Sequence, residues 1–137
     1  MPVGPVAQWR RVTLIQVLTI HVIANVSASV CDAMVADDTA TWTAVCLVTN
    51  LLVEAFFIWQ LWPGGRIAWW IGLAFQAFAL VCLPIMSANP ALFDYPAGTH
   101  PLEMLPLLLL TAVGTAAWVA PSVHRHVRAL VPAGSRS

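Results

Sequence analysis

Four long apolar runs, separated by short polar breaks, dominate the pattern of the chain. The runs cover residues 12–34, 41–62, 67–87 and 102–120. Each approaches or exceeds the ~20 residues that an α-helix needs to cross a ~30 Å hydrocarbon core. The breaks are rich in Asp, Pro, Gly and Asn, as expected between helices. The pattern predicts an all-α, polytopic membrane protein, folded as a single four-transmembrane-helix bundle over residues 1–137, with a short basic cytoplasmic tail over residues 121–137.

Composition agrees with a membrane environment and excludes several function classes. Of the 137 residues, 60% are hydrophobic and 9% are charged, whereas soluble domains carry about 25% charged residues. The formal net charge is zero, so the chain lacks the electrostatic footprint of a nucleic-acid-binding protein. The three cysteines show no C-x-x-C spacing, and we predict neither a metal nor a cofactor. The expected partners are the lipid bilayer and either other membrane-protein subunits or a lipidic substrate.

Charged residues segregate to opposite ends of the predicted bundle. All six arginines fall on one side of the predicted topology: Arg10, Arg11, Arg66, Arg125, Arg128 and Arg136. Five of the six acids fall on the other side: Asp32, Asp37, Asp38, Asp94 and Glu103. Because positively charged loops stay in the cytoplasm, we expect a multi-pass protein of the plasma membrane with both termini inside. Six of the seven tryptophans are expected near the inner boundary, where aromatic belts form: Trp9, Trp59, Trp62, Trp69, Trp70 and Trp118.

A cleavable secretory signal is the alternative interpretation of the first run. Two arginines precede this run, and residues 26–28 (Val-Ser-Ala) resemble a cleavage site. The run nevertheless continues to Met34, and His21 and Asn25 would be unusual in a signal core. These features favour a transmembrane helix.

Polar residues inside the first two runs recur at helical spacing. The first run places four of them within one face of a helix: His21, Asn25, Ser29 and Asp32. The second run does the same with Thr43, Asn50 and Glu54. Because two helices joined by a short loop are neighbours, we expect the two polar stripes to face each other, away from lipid.

Depth in the membrane brings all four helices to one polar level. At 1.5 Å per residue, His21, Glu54, Gln76 and Thr111 lie roughly 12–15 Å from the inner boundary. Asn25 and Asn50 lie slightly higher, at roughly 20 Å. Each helix therefore contributes a polar group near the middle of the bilayer.

Glu54 is the residue in this layer that most strongly suggests chemistry. A charged carboxylate near the bilayer centre is costly, so we expect Glu54 either to be protonated or to pair with a protonated His21. The pair is a candidate catalytic acid/base unit, with Asn25, Asn50, Gln76 and Thr111 as substrate-binding or orienting groups. Polar side chains also hold membrane bundles together by hydrogen bonding, and this purely structural role is the competing interpretation.

Two functions from different classes follow from these interpretations. The first is an accessory or structural subunit of a membrane assembly, in which the polar layer serves packing and partner recognition. The second is a membrane-embedded enzyme, an acid/base isomerase or cyclase of a lipidic or isoprenoid substrate, or a small proton-linked carrier, using Glu54 and His21. Whether the protein is an enzyme stays open at this point. A cavity of roughly 300 Å³ or more at the two residues would favour the second, and interlocked side chains would favour the first.

Weaker signals complete the picture. Cys46 and Cys82 reach a similar depth and could meet as a thiol pair. The stretch from His124 to Arg128 is expected to contact anionic headgroups at the inner leaflet. No motif in the chain identifies a protein family.

Overall fold

The computed structural model describes residues 5–93, 95–96 and 98–129, and every regular element in these residues is helical. Five α-helices follow one another: α1 (Pro5–Val35), α2 (Ala40–Leu61), α3 (Arg66–Ala88), α4 (Leu105–Trp118) and α5 (Pro121–Ala129). Two short 3-10 helices, Pro90–Phe93 and Pro101–Met104, connect α3 to α4. Asp94, Arg136 and the rest of the tail beyond residue 129 lie outside the described residues.

Within the described residues, four segments are long and apolar enough to cross a membrane: Arg11–Val35, Ala40–Leu61, Arg66–Ala88 and Pro101–Arg128. The prediction of an all-helical chain with four such helices is therefore confirmed, and the four candidate spans indicate a multi-pass membrane protein. The sequence pattern placed the start of the first helix at about residue 12, but α1 already begins at Pro5. The fourth candidate span contains the second 3-10 helix, α4 and most of α5.

The turn between α1 and α2 shows how local chemistry ends one helix and starts the next. Asp37 adopts a left-handed conformation with φ of 54°, which Asp tolerates better than most residues. Thr39 then caps α2, because its hydroxyl accepts a hydrogen bond from the backbone N–H of Trp42 at 3.3 Å. Such a cap satisfies one of the amide groups left unpaired at a helix start. The tight turn sets α1 and α2 antiparallel and adjacent.

Two apolar cores hold the bundle together, one near each end. The first, here called the α5-end core, comprises Leu14, Leu18, Leu61, Trp69, Trp118, Val123 and Val127. The second, the Tyr95-end core, comprises Ala28, Leu83, Tyr95, Met104 and Leu107. The α1–α4 contact is the most extensive between helices, whereas α2 and α3 contact each other much less. This uneven packing leaves space in the centre of the bundle, between the two cores.

The first part of the predicted basic tail folds back onto the bundle as α5. Val123 and Val127, one turn apart, are buried in the α5-end core. The His126 ring donates a hydrogen bond through Nε2 to the Trp62 carbonyl oxygen at 2.9 Å, and the His124 ring lies 5.2 Å from that of Trp69. The valines and histidines of this stretch therefore pack on the protein. The predicted contact with lipid headgroups is left to its exposed residues, Arg125 and Arg128.

The tryptophans near the α5 end divide into two groups. Trp59, Trp62 and Trp70 are exposed on the outside of the bundle, as expected for an aromatic belt. Trp69 and Trp118, in contrast, are 7% and 1% exposed and belong to the α5-end core. These two tryptophans thus lie at the same end of the bundle as the exposed three, but their rings pack between helices.

Candidate functional site

Three polar side chains from α1 and α2 meet in the centre of the bundle. His21 and Glu54 are 2% and 8% exposed, and their Nε2 and Oε2 atoms are 3.0 Å apart. Asn25, one turn after His21, donates a hydrogen bond from Nδ2 to Glu54 Oε1 at 2.5 Å. The polar stripes of the first two helices face each other, as the sequence predicted. Each oxygen of the carboxyl group therefore has its own polar partner.

The hydrogen bonds around His21 determine the role of one ring nitrogen and restrict that of the other. His21 Nδ1 lies 2.7 Å from the Gly114 carbonyl oxygen, which only accepts hydrogen bonds, so Nδ1 carries a proton and donates it. Nε2 lies 3.0 Å from Glu54 Oε2 and 3.1 Å from Asn25 Nδ2. Its contact with the carboxyl oxygen involves one further proton, held either by the imidazole or by the carboxyl group. In both cases the His21–Glu54 pair shares one proton and is neutral overall. A neutral pair avoids most of the cost of a lone charge in a membrane.

Close contacts with α3 and α4 hold the His21 ring in place. The His21 and Trp118 rings lie 4.8 Å apart. Trp118 in turn donates a hydrogen bond from Nε1 to the Trp69 carbonyl oxygen at 3.0 Å, and Trp69 Nε1 donates to the Trp118 carbonyl oxygen at 3.2 Å. Gly72 leaves room for the indole, because a Cβ there would lie 2.5 Å from Trp118 Cζ2. These contacts hold the Trp118 indole against the His21 ring, on the α5 side of the His21–Glu54 pair.

Asn50 belongs to the same hydrogen-bonded network, one turn farther towards the Tyr95 end. Its Nδ2 donates a hydrogen bond to Ser29 Oγ at 2.5 Å. The Ser29 hydroxyl in turn donates to the backbone carbonyl oxygen of Asn25 at 3.1 Å. The structure therefore joins four of the six residues singled out from the sequence through direct contacts or one intervening hydroxyl: His21, Asn25, Asn50 and Glu54.

Gln76 and Thr111 stand apart from this network. Gln76 Oε1 accepts a hydrogen bond from Thr115 Oγ1 at 3.0 Å, and the Thr111 hydroxyl donates to the Leu107 carbonyl oxygen of its own helix at 2.8 Å. Both side chains nevertheless line the same cavity as His21 and Glu54.

This central cavity has a volume of about 420 Å³. His21, Asn25, Glu54, Gln76 and Thr111 supply polar groups to its wall, while Phe57, Phe75 and Leu107 are among its apolar lining residues. A mostly apolar wall with a few convergent polar groups is typical of sites for small molecules, and the volume lies within their usual range of roughly 300–1,000 Å³. The polar side chains of the four helices therefore leave space between them and do not form a closed layer.

Asp32 and Tyr95 meet at the far end of the cavity from Trp118. Asp32 lines the cavity, and the Tyr95 hydroxyl donates a hydrogen bond to its Oδ1. Burial, and next the hydrogen bond to Asp32, raise the pKa of Tyr95 well above its usual range. The phenol thus stays protonated and acts as a donor to Asp32.

Thiol and metal chemistry find little support in the described part of the chain. Cys31, Cys46 and Cys82 are free thiols, so no disulfide joins Cys46 to Cys82. Within the described residues no group of three or more His, Cys, Asp or Glu side chains is arranged to hold a metal ion.

Several residues that contact the site were not predicted from the sequence to belong to it. Gly72 and Gly114 lie within apolar runs and carry no polar group, and Trp118 was assigned to the aromatic belt. Thr115 is spaced four residues from Thr111 and one from Gly114. Small residues at such spacing mark close helix contacts in membranes, and this signal could have pointed to the α1–α4 interface.

Comparison of the chain with protein-family models, with curated proteins and with solved structures found no match.

Proposed function

We propose that this protein is a membrane-embedded acid/base enzyme that binds a lipidic substrate in the central cavity and exchanges a proton with it through Glu54 and His21. The observation that carries the proposal is the joint presence of a proton-sharing pair and a cavity of about 420 Å³ beside it. A packing layer needs no such space. The accessory-subunit function remains the competing prediction, and it requires the pair to serve assembly alone.

Isomerisation is the reaction class that best suits a pair with one shared proton. The base would take a proton from one carbon of the substrate, the double bond would shift, and the acid would return a proton to another carbon. One C–H bond breaks, one forms, and the pair ends with the protons it started with. A positioned acid/base group contributes about 10²- to 10⁴-fold to such steps. An isoprenoid, whose double bonds lie in an apolar chain, fits the apolar wall.

We place the protein in the plasma membrane with both termini in the cytoplasm. Four described arginines support this orientation, because they lie at the α5 end: Arg11, Arg66, Arg125 and Arg128. The acids Asp32, Asp37, Asp38 and Glu103 belong to the opposite end. Such an asymmetry follows the rule that arginine-rich loops remain inside.

The test replaces Glu54 in cells that lack the native gene copy. Glu54→Gln keeps the size of the side chain and its hydrogen bonding but removes the acid, and Glu54→Leu removes the polar group altogether. Lipid extracts of each strain would be compared by chromatography and mass spectrometry. We expect a lipid species that accumulates without the protein to disappear with the native protein and to persist with Glu54→Gln, since the step loses about 100-fold or more.

Glu103→Gln is the matched control, because Glu103 is an exposed acid near the Tyr95 end, and it should restore the native lipid profile. A Glu54→Gln strain with a native profile would overturn the proposal. Ala79→Phe adds a ring at the cavity wall, and this variant should fail as Glu54→Gln does. If it instead behaves like the native protein, the cavity does not bind the substrate.

A further inference from the structure

The polar lining of the central cavity is continuous towards one end of the bundle and absent towards the other. Towards the Tyr95 end the network runs from Glu54 through Asn25, Ser29 and Asn50, and Asp32 lines the cavity beyond them. On α1 these groups recur every three to four residues, so they remain on one face of the helix. A proton leaving the His21–Glu54 pair in this direction meets polar groups at each helical turn.

The opposite direction is closed by apolar side chains. Trp118 is 1% exposed and lies directly beneath the His21 ring, and Leu61, Leu14 and Leu18 belong to the same α5-end core. The Trp118 and Trp69 indole N–H groups are both used in their reciprocal hydrogen bonds. Neither is free to pass a proton or to hold a water molecule between the pair and the α5 end.

We infer that the His21–Glu54 pair exchanges protons with water only through the Tyr95 end of the bundle, and that Asp32 is the proton-relay residue on this route. The inference rests on the proposed function for the role of the exchanged proton, whereas the route itself follows from the geometry. Asp32 is suited to the role because its carboxyl group lines the cavity and meets the Tyr95 hydroxyl near that end. Asp32 is also titratable, and it lies on the polar face of α1 between the pair and the Tyr95 end.

Cys82 offers a native probe for the route, because its side chain lines the cavity on the Tyr95 side of Gln76. Cys31 and Cys46 would be replaced by Ala, leaving Cys82 as the reactive thiol. A membrane-impermeant, positively charged methanethiosulfonate reagent reacts with thiolates, which form where water reaches the sulfur. It would be added separately to right-side-out and inverted vesicles, and Pro96→Cys and Arg125→Cys in a cysteine-free background would report which end each solution reaches.

We expect Cys82 to react from the solution that labels Pro96→Cys and not from the solution that labels Arg125→Cys. Reaction from the Arg125 side, or from neither side, would overturn the proposed route. This result is independent of the lipid analysis. If Cys82 reacts as expected while Glu54→Gln restores the native lipid profile, the proposed function fails and the route stands.

Asp32→Asn tests the relay itself, because the amide keeps the size of the side chain but cannot carry the proton onward. The readout is the exchange rate of the His21 ring N–H protons with water, measured by NMR on ¹⁵N-histidine-labelled protein in micelles. The His21 signals are those that vanish in His21→Gln. We expect exchange to slow by about 100-fold, at the lower end of what a positioned proton-transfer group contributes.

Asp37→Asn is the matched control, since Asn also tolerates the left-handed backbone of this exposed position. It should leave the exchange rate unchanged. Equal rates in Asp32→Asn and the native protein would remove Asp32 from the route and overturn its role as a relay.

Discussion

At the scale of single residues, Gly114 determines how closely α4 approaches α1. Its carbonyl oxygen accepts the hydrogen bond from His21 Nδ1, and the missing side chain makes room for Asn25. A Cβ at this position would lie 2.6 Å from Asn25 Oδ1, too close for any normal contact. The glycine thus supports both the hydrogen bond from His21 Nδ1 and the position of the amide that contacts Glu54.

Gly114→Ala should therefore destabilise the protein and disturb the site. Alanine gains up to about 1 kcal/mol in helix propensity, but overpacking a close contact costs typically about 1–3 kcal/mol, so the net effect is a loss. Thermal unfolding of the purified protein in detergent measures it. Ala116→Val, on the exposed side of the same helix, is the control and should unfold like the native protein. An unchanged or higher midpoint for Gly114→Ala would contradict the close approach.

The sequence predicts polar residues of this site better than the residues that support them. His21, Asn25 and Glu54 stand out because a polar side chain in an apolar helix needs an explanation. Gly114 and Trp118 do not, because glycine and tryptophan are common in membrane helices for other reasons. Their roles depend on which helices are in contact, and the spacing along one chain does not contain that information.

At the scale of helices, the reciprocal hydrogen bonds between Trp69 and Trp118 join α3 to α4. The two indoles form the part of the α5-end core nearest the cavity, directly below His21. Trp70, the next residue along α3, points the other way and is 60% exposed. Because Trp69 is buried and Trp70 is exposed, replacing each in turn measures how burial affects the stability with the same residue type.

Trp69→Ala should cost about 3–5 kcal/mol of stability, the usual range for a buried tryptophan. The cost arises from the lost packing in the α5-end core and from an unpaired Trp118 carbonyl group. Trp70→Ala removes the same atoms from an exposed position and should change the stability of the isolated protein little. Chemical unfolding in mixed micelles, followed by tryptophan fluorescence, compares the two. Equal losses in both variants would show that burial between helices is not what distinguishes them.

The existence of the four spans follows from the apolar runs, but the exact helix bounds and the contacts between helices do not. The four spans were predictable because each apolar stretch has about the length that an α-helix needs to cross a bilayer. The fold-back of α5 was not predicted, because the basic residues from His124 to Arg128 indicated a contact with lipid headgroups rather than with the bundle. That four-residue spacing is an apolar stripe on a short amphipathic helix, and it was visible in the sequence.

At the scale of the whole molecule, the segregation of arginines from acids predicts the orientation in the membrane. In a cysteine-free background, an impermeant maleimide should label Pro96→Cys in intact cells. Arg125→Cys should react only after the membrane is permeabilised, because the arginine-rich end stays in the cytoplasm. The cysteine-free protein itself serves as the blank. Labelling of Arg125→Cys in intact cells would reverse the orientation that we propose.

The neutral, proton-sharing geometry of His21 and Glu54 also bears on how the membrane voltage acts on the site. Moving one charge across the whole membrane is worth about 2.3 kcal/mol per 100 mV. The two atoms that share the proton are 3.0 Å apart, at most about a tenth of a ~30 Å core. Transfer between them therefore changes by no more than about 0.2 kcal/mol per 100 mV. The free energy of proton transfer within the pair should thus be nearly the same with and without a membrane potential. A proton that enters from water crosses more of the electric field, so its entry depends more on the potential.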